Sequence, residues 1–147
     1  MSSHYRKLFI NLAISMVAMY LVMFAMIDGM ADFYNNVNML YMALMMVAPM
    51  AILMLLMMGS MYQNRKLNIV LYITFAGLFV GAFAFTRAQT FVGNEQFLRS
   101  MIPHHSGAIL MCRESAITDR EIAALCDTIV KSQREEIEHM KSILARY

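Results

Sequence analysis

Three uncharged runs dominate the first part of the chain: residues 8–27, 39–62 and 67–86 contain no Asp, Glu, Lys or Arg. Each reaches the roughly 20 residues an α-helix needs to cross a ~30 Å hydrocarbon core. One such run is compatible with a buried helix of a soluble protein; three in succession predict transmembrane helices over about 7–28, 38–61 and 67–90. Between the first two lies a polar connection with Asp28, Asp32, Asn35 and Asn36, and between the second and third a tight turn, Gln63-Asn64-Arg65-Lys66. A cleaved signal peptide is an alternative for the first run, with His4, Arg6 and Lys7 before it and Gly29-Met30-Ala31 after it, but the run is long for that role.

Beyond residue 90 the pattern becomes amphipathic. Gly93-Asn94 punctuates the chain, and Asn94 is a plausible N-cap for a fourth helix starting at Glu95. Pro103 falls inside that helix, where it removes a backbone hydrogen bond and tends to kink the axis. The helix ends near Ser115-Ala116. Thr118-Asp119-Arg120-Glu121 then reads as a capping box, with Thr118 as N-cap of a fifth helix running towards Arg146. So short a connection makes the two helices an antiparallel αα-hairpin. The fold class expected is therefore all-α, with a three-span region over 1–90 and a helical hairpin over 91–147. A hairpin of that size buries too little core alone. A second copy completing a four-helix bundle across a two-fold axis is the simplest remedy, so a homodimer or higher oligomer is expected.

Composition and charge sharpen this picture. Sixty per cent of the residues are hydrophobic and the mean hydropathy is +0.54, which fits a chain whose main partner is a lipid bilayer. Residues 87–147 carry eight bases and eight acids, so the net charge of +2 arises entirely in the span region. There is no basic stripe, which argues against nucleic acid as a partner. Arg6 and Lys7 precede the first span and Arg65 and Lys66 join the second to the third, whereas the first connection has only acids. Positive charge marks the cytoplasmic side. The N-terminus is thus expected in the cytoplasm and the hairpin outside it, in the periplasm if the membrane is a bacterial inner membrane. Arg87 and Arg99 argue weakly against this.

Candidate chemistry gathers in the hairpin. On the fourth helix Met101, His104, His105, Ala108, Met111 and Cys112 form a stripe; on the fifth, Ile122, Cys126, Ile129, Gln133, Ile137, Met140 and Leu144 do so. Gln133 stands where an apolar residue belongs, and a buried polar group without a partner costs on the order of 1–3 kcal/mol. Glu136 shares a face with His139 and Met140 at spacings of three and four. A lone helical His is usually structural, but three imidazoles with three thioethers on a short hairpin suggest a metal. Thioether selects Cu(I) and imidazole accepts either oxidation state, so the expected cofactor is copper, as Cu(I) or Cu(II). Glu136-x-x-His139 also suits a di-iron carboxylate site. That reading is weaker, because the fourth helix offers only Glu95 and Glu114, near its ends. Cys112 and Cys126 fall at similar distances from the turn, so a disulfide, soft metal ligands and small core residues are all open to them.

Of the 18 methionines, 15 lie at or before Met61. Met16, Met19, Met23, Met26 and Met30 are spaced 3-4-3-4, and Met42, Met46, Met50, Met54, Met57 and Met61 nearly so. The plain reading is adaptable packing; the sharper one is a pair of facing thioether ladders relaying Cu(I) or Ag(I) through the bilayer. No charge inside the spans suggests a proton path.

The segment Phe97-Leu98-Arg99-Ser100-Met101-Ile102-Pro103-His104-His105-Ser106-Gly107-Ala108-Ile109-Leu110-Met111, followed by Ile129, Gln133, Glu136-Ile137 and Met140, resembles the family catalogued as domain of unknown function 305. The resemblance covers about residues 94–145. It implies a ferritin-like helical bundle of which this hairpin is half, and some members bind copper in the periplasm. It implies a site drawn from Met101, His104, His105, Met111 and Met140, with Gln133 and Glu136 supporting or ligating. The chain departs from the pattern in having one motif hairpin where many relatives have two, in its paired cysteines, and in His139 beside the motif methionine as an extra candidate ligand. The function expected is copper or silver handling by a membrane-anchored, non-enzymatic protein. The alternatives are an accessory subunit of a larger membrane complex and, less favoured, a ferritin-like redox enzyme.

Overall fold

The computed structural model describes residues 3–147, and its regular structure among them is helical. Five α-helices follow in order: α1 (Ser3–Val22), α2 (Val37–Met57), α3 (Arg65–Ala88), α4 (Asn94–Glu114) and α5 (Arg120–Leu144). Two short 3₁₀ segments, Met23–Met26 and Met30–Asp32, lie between α1 and α2. Three stretches are long and apolar enough to cross a membrane: Ser3–Met26, Val37–Met57 and Arg65–Ala88.

The chain forms two compact units, and they divide it unexpectedly. One comprises residues 1–22 with 38–90, the other 23–37 with 91–147. The connection between the first two apolar helices groups with the hairpin. The physical reason is a set of buried polar contacts, described below, that this connection makes with α4 and α5.

Within the first unit α2 supplies the tightest packing. Ala43, Ala48 and Ala51 are wholly enclosed, and small side chains let helix backbones approach closely. Leu8 and Leu12 of α1 and Leu71 and Phe75 of α3 join Val47 and Leu55 of α2 in one core. At the α2–α3 turn, Tyr5 Oη donates to Asn68 Oδ1 (2.7 Å) and accepts from the Asn64 N–H (3.2 Å), while Asn68 donates to the Tyr62 carbonyl (2.7 Å). At the far end Tyr41 donates to the Thr90 carbonyl (2.6 Å). Thus the polar groups sit at the ends of the bundle. Its outer face shows Ile14, Val17, Ile73 and Val80, a surface suited to hydrocarbon rather than water.

The methionine ladders do not run as two continuous facing rows. Met16, Met19, Met50 and Met54 pack partly buried against the core, whereas Met42, Met46, Met57 and Met61 lie exposed. The inward side of α2 is already taken by its alanines, Val47 and Leu55, and residues 23–26 leave the α-helical spacing altogether.

Candidate metal site and the loop that braces it

Helix α4 begins with Gly93, not Asn94, at the N-cap; Asn94 is the first helical residue and donates its side-chain amide to Tyr147 Oη (3.1 Å). α5 is capped by Asp119 rather than Thr118, its carboxylate accepting from the N–H groups of Glu121 (2.8 Å) and Ile122 (3.1 Å). A carboxylate both caps and complements the positive end of the helix, and so outcompetes the neighbouring hydroxyl. The two helices meet through Ile102, Ile109 and Ile137, with Val130, Met140 and Leu144 partly buried around them. Cys112 and Cys126 are joined as a disulfide across the hairpin, their Cα atoms 5.3 Å apart.

One side of α4 is covered by residues 23–37, and the motif itself provides the fastenings. Pro103 has no N–H, which frees the Arg99 carbonyl that a helical residue 103 would bond. Asn36 Nδ2 reaches that carbonyl at 3.4 Å and donates also to the Tyr34 carbonyl at 3.0 Å. Ser106 is fully buried; its hydroxyl donates to Asp32 Oδ2 (2.6 Å) and accepts from the Asp28 N–H (2.8 Å). Gly107 leaves room for the Met26 backbone, since a Cβ there would stand 3.3 Å from the Met26 carbonyl oxygen. Lys141 of α5 adds an ion pair with Asp32 Oδ1 at 2.7 Å, and Arg113 pairs with Asp28 at 2.8 Å. Burial works to lower the Lys141 pKa, but the hydrogen bond and charge of Asp32 overcome this and raise it.

The candidate ligands lie mostly on other sides of the hairpin. His105 points between the helices, with Nδ1 3.1 Å from Glu136 Oε2. The two atoms do not align as a hydrogen bond, and Nδ1 is a buried polar atom without a partner. Burial pushes the His105 pKa below its ordinary value; Glu136 raises it and His104 lowers it further. A pKa below the ordinary 6.5 favours the neutral imidazole at pH 7. The His104 ring lies 6.2 Å from that of His105, centroid to centroid, and is exposed. Met111 and His139 are exposed, Met101 and Gln133 partly buried, and Met140 is committed to the hairpin core. Among the described residues no three His, Cys, Asp or Glu side chains stand close enough together to hold a metal ion.

A family model described as a domain of unknown function (DUF305) matches residues 84–144. An uncharacterized protein of Acanthamoeba polyphaga mimivirus is 34% identical over 119 residues, which make up 80% of this chain and 76% of that protein. The chain belongs to the DUF305 family. The viral relative matches over more residues than the chain has from 84 onward, so the similarity extends beyond the DUF305 region into the apolar helices. No solved structure matches the chain. Within this DUF305 segment the structure separates two groups of motif residues. Pro103, Ser106 and Gly107 receive the loop, while Met101, His104, His105 and Met111 lie around the other side of α4. The loop contacts were not foreseen, although the signal was present in four polar residues set in a short connection between two apolar runs.

Proposed function

We propose that this protein is a membrane-anchored metal-binding protein that takes copper, or silver, through its hairpin on the outer side of a membrane. The observation that carries the reading is His105. It has a neutral imidazole whose buried Nδ1 lacks a hydrogen bond, next to a carboxylate and flanked along α4 by exposed His104 before it and Met111 after it. A buried nitrogen of this kind costs free energy unless something fills its valence, and a cation does so. Imidazole with thioether is the donor chemistry of a soft, copper-like ion, and Glu136 adds charge compensation. His104, His105, Met101, Met111, Glu136 and His139 are the residues that would hold it. Met140 supports the site from the core.

Two features favour the outer side. The disulfide fits an oxidising compartment. Arg6, Lys7, Arg65 and Lys66 mark the inner side, and three crossings of the membrane would leave residues 23–37 and 91–147 on the outer one.

The test is metal analysis of the full chain in detergent, apo and after Cu(I) loading. Wild type is expected to bind Cu(I), and His104→Ala combined with His105→Ala to lose it while keeping its helical content and disulfide. Unchanged copper content in that double variant would sink the assignment. An absence of copper in wild type would instead favour an accessory subunit whose motif only packs.

A further inference from the structure

The contacts of the hairpin leave one face open. At about 100° per residue, Ser106 and Arg113, which hold the loop, lie roughly 160° around α4 from His104 and Met111. Phe97, His104 and Met111 follow one another at intervals of seven on that free side, and Phe97 and Met111 are each more than half exposed. On α5, Lys141 marks the loop side. Glu136 lies on the other side of the buried line through Val130 and Ile137, as do Ile122 and Leu125, both more than half exposed. The approach of Glu136 to His105 places this second stripe beside the first. One face of the hairpin is therefore covered by the chain itself, and the opposite face carries two apolar stripes with the candidate ligands set into them.

We propose that a second copy of this chain covers that face and completes the metal site with its own donors. The inference rests on the metal-binding reading and identifies the partner it needs. A single chain brings together one imidazole and one carboxylate, but no three such groups among the described residues. Of the remaining donors, Met101 is partly buried, while His104, Met111 and His139 are exposed, where a facing copy can bring them to a shared ion. The face also carries groups that suit its own image. Neither stripe contains Lys or Arg, and the Glu136 carboxylate accepts a hydrogen bond that an N–H of the facing copy's His104 ring can donate. Apolar helices confined to one bilayer hold all copies in the same sense. A two-fold axis along the membrane normal then brings identical faces together, an isologous contact that closes after two subunits.

The experiment uses the full chain in lipid nanodiscs, with Ag(I) as a redox-inactive probe that leaves the disulfide intact. Particle mass is measured by light scattering and silver by elemental analysis and competition. Leu125→Arg places a charge in the stripe at an exposed position, so the monomer's own fold is spared; retained disulfide and helix content check this. Wild type is expected to hold two chains per particle and to bind silver at least tenfold more tightly than Leu125→Arg, which is expected to be monomeric. A photoactivatable residue replacing Phe97 is expected to link two copies of the chain. Wild type that is monomeric yet binds silver as well as Leu125→Arg overturns the inference and leaves the metal-binding reading standing. A dimer that takes no silver overturns that reading, and this inference with it. Crosslinking of position 97 to a different protein, and never to a second copy, also overturns it.

Discussion

Replacing Ser106 with alanine tests the central structural claim, that the motif clamps the connection between the first two apolar helices. The hydroxyl is fully buried and makes two bonds, one to the Asp32 carboxylate at 2.6 Å and one from the Asp28 N–H at 2.8 Å. A hydrogen bond to a charged group contributes about 1.5–3 kcal/mol, and a buried donor left without a partner costs about 1–3 kcal/mol. The two losses are not additive, because Asp32 keeps Lys141 at 2.7 Å and the freed loop recovers water. The combined cost is about 3 kcal/mol. Tenfold in a local opening equilibrium corresponds to about 1.4 kcal/mol, so the open population of residues 23–37 rises roughly a hundredfold. Hydrogen exchange read by mass spectrometry on the protein in detergent measures this directly. The peptide containing Asp28 and Asp32 is expected to exchange about two orders of magnitude faster, with peptides from α2 and α3 unchanged. If exchange in 23–37 shifts by less than about threefold while the variant remains folded, the connection is not held by Ser106 and the division into units needs another explanation.

Two further outcomes follow from the hairpin. The Cys112–Cys126 bridge closes a loop of 14 residues, so replacing both cysteines with serine is expected to lower hairpin stability by about 2–3 kcal/mol; equal protease half-lives for the two forms would refute a stapling role. His105 gives a pH dependence in the metal-free protein. Because burial depresses its folded pKa, the unfolded chain binds the proton first as pH falls, and stability rises with pH between the folded value and the ordinary value of 6.5. The contribution of His105 is therefore complete above about 6.5 and is lost below it. Exchange protection in the hairpin is expected to fall from pH 7 to pH 5.5, and His105→Asn to remove that dependence; an identical pH profile in the variant would show that other groups cause it.

Some of this was legible in the chain and some was not, for physical reasons. The apolar helices announce themselves because the length of an uncharged run is a local property, and the α4–α5 hairpin follows from spacing and turn length. The caps lie one residue from the expected positions, because Gly93 and Asn94, or Thr118 and Asp119, both satisfy the local rules; the backbone path decides the first pair and the carboxylate's charge the second. The methionine spacing was real, but spacing alone does not say which side of α2 faces the core. Asp28, Asp32 and Asn36 read as a solvated connection because their partners, Ser106, Lys141 and the Arg99 carbonyl, lie more than 60 residues away in sequence.

That separation also changes what the motif means. In Met101-Ile102-Pro103-His104-His105-Ser106-Gly107, proline and glycine are the residues a helix tolerates least, and both sit where the loop needs them. One exposes a carbonyl to Asn36 and the other admits the Met26 backbone. The helix thus gives up local propensity on its loop side in exchange for contacts that fix its rotation, and that rotation decides where the histidines point. With Ser106 turned to the loop, His105 must turn towards α5 and His104 towards the free face, since consecutive helical residues differ by about 100°. The polar connection between the first two apolar helices is in this sense a positioning element for the candidate site. Sliding α4 by a single residue would carry Ser106 off Asp32 and the imidazole of His105 away from Glu136 together, so the loop contacts and the donor set stand or fall as one arrangement.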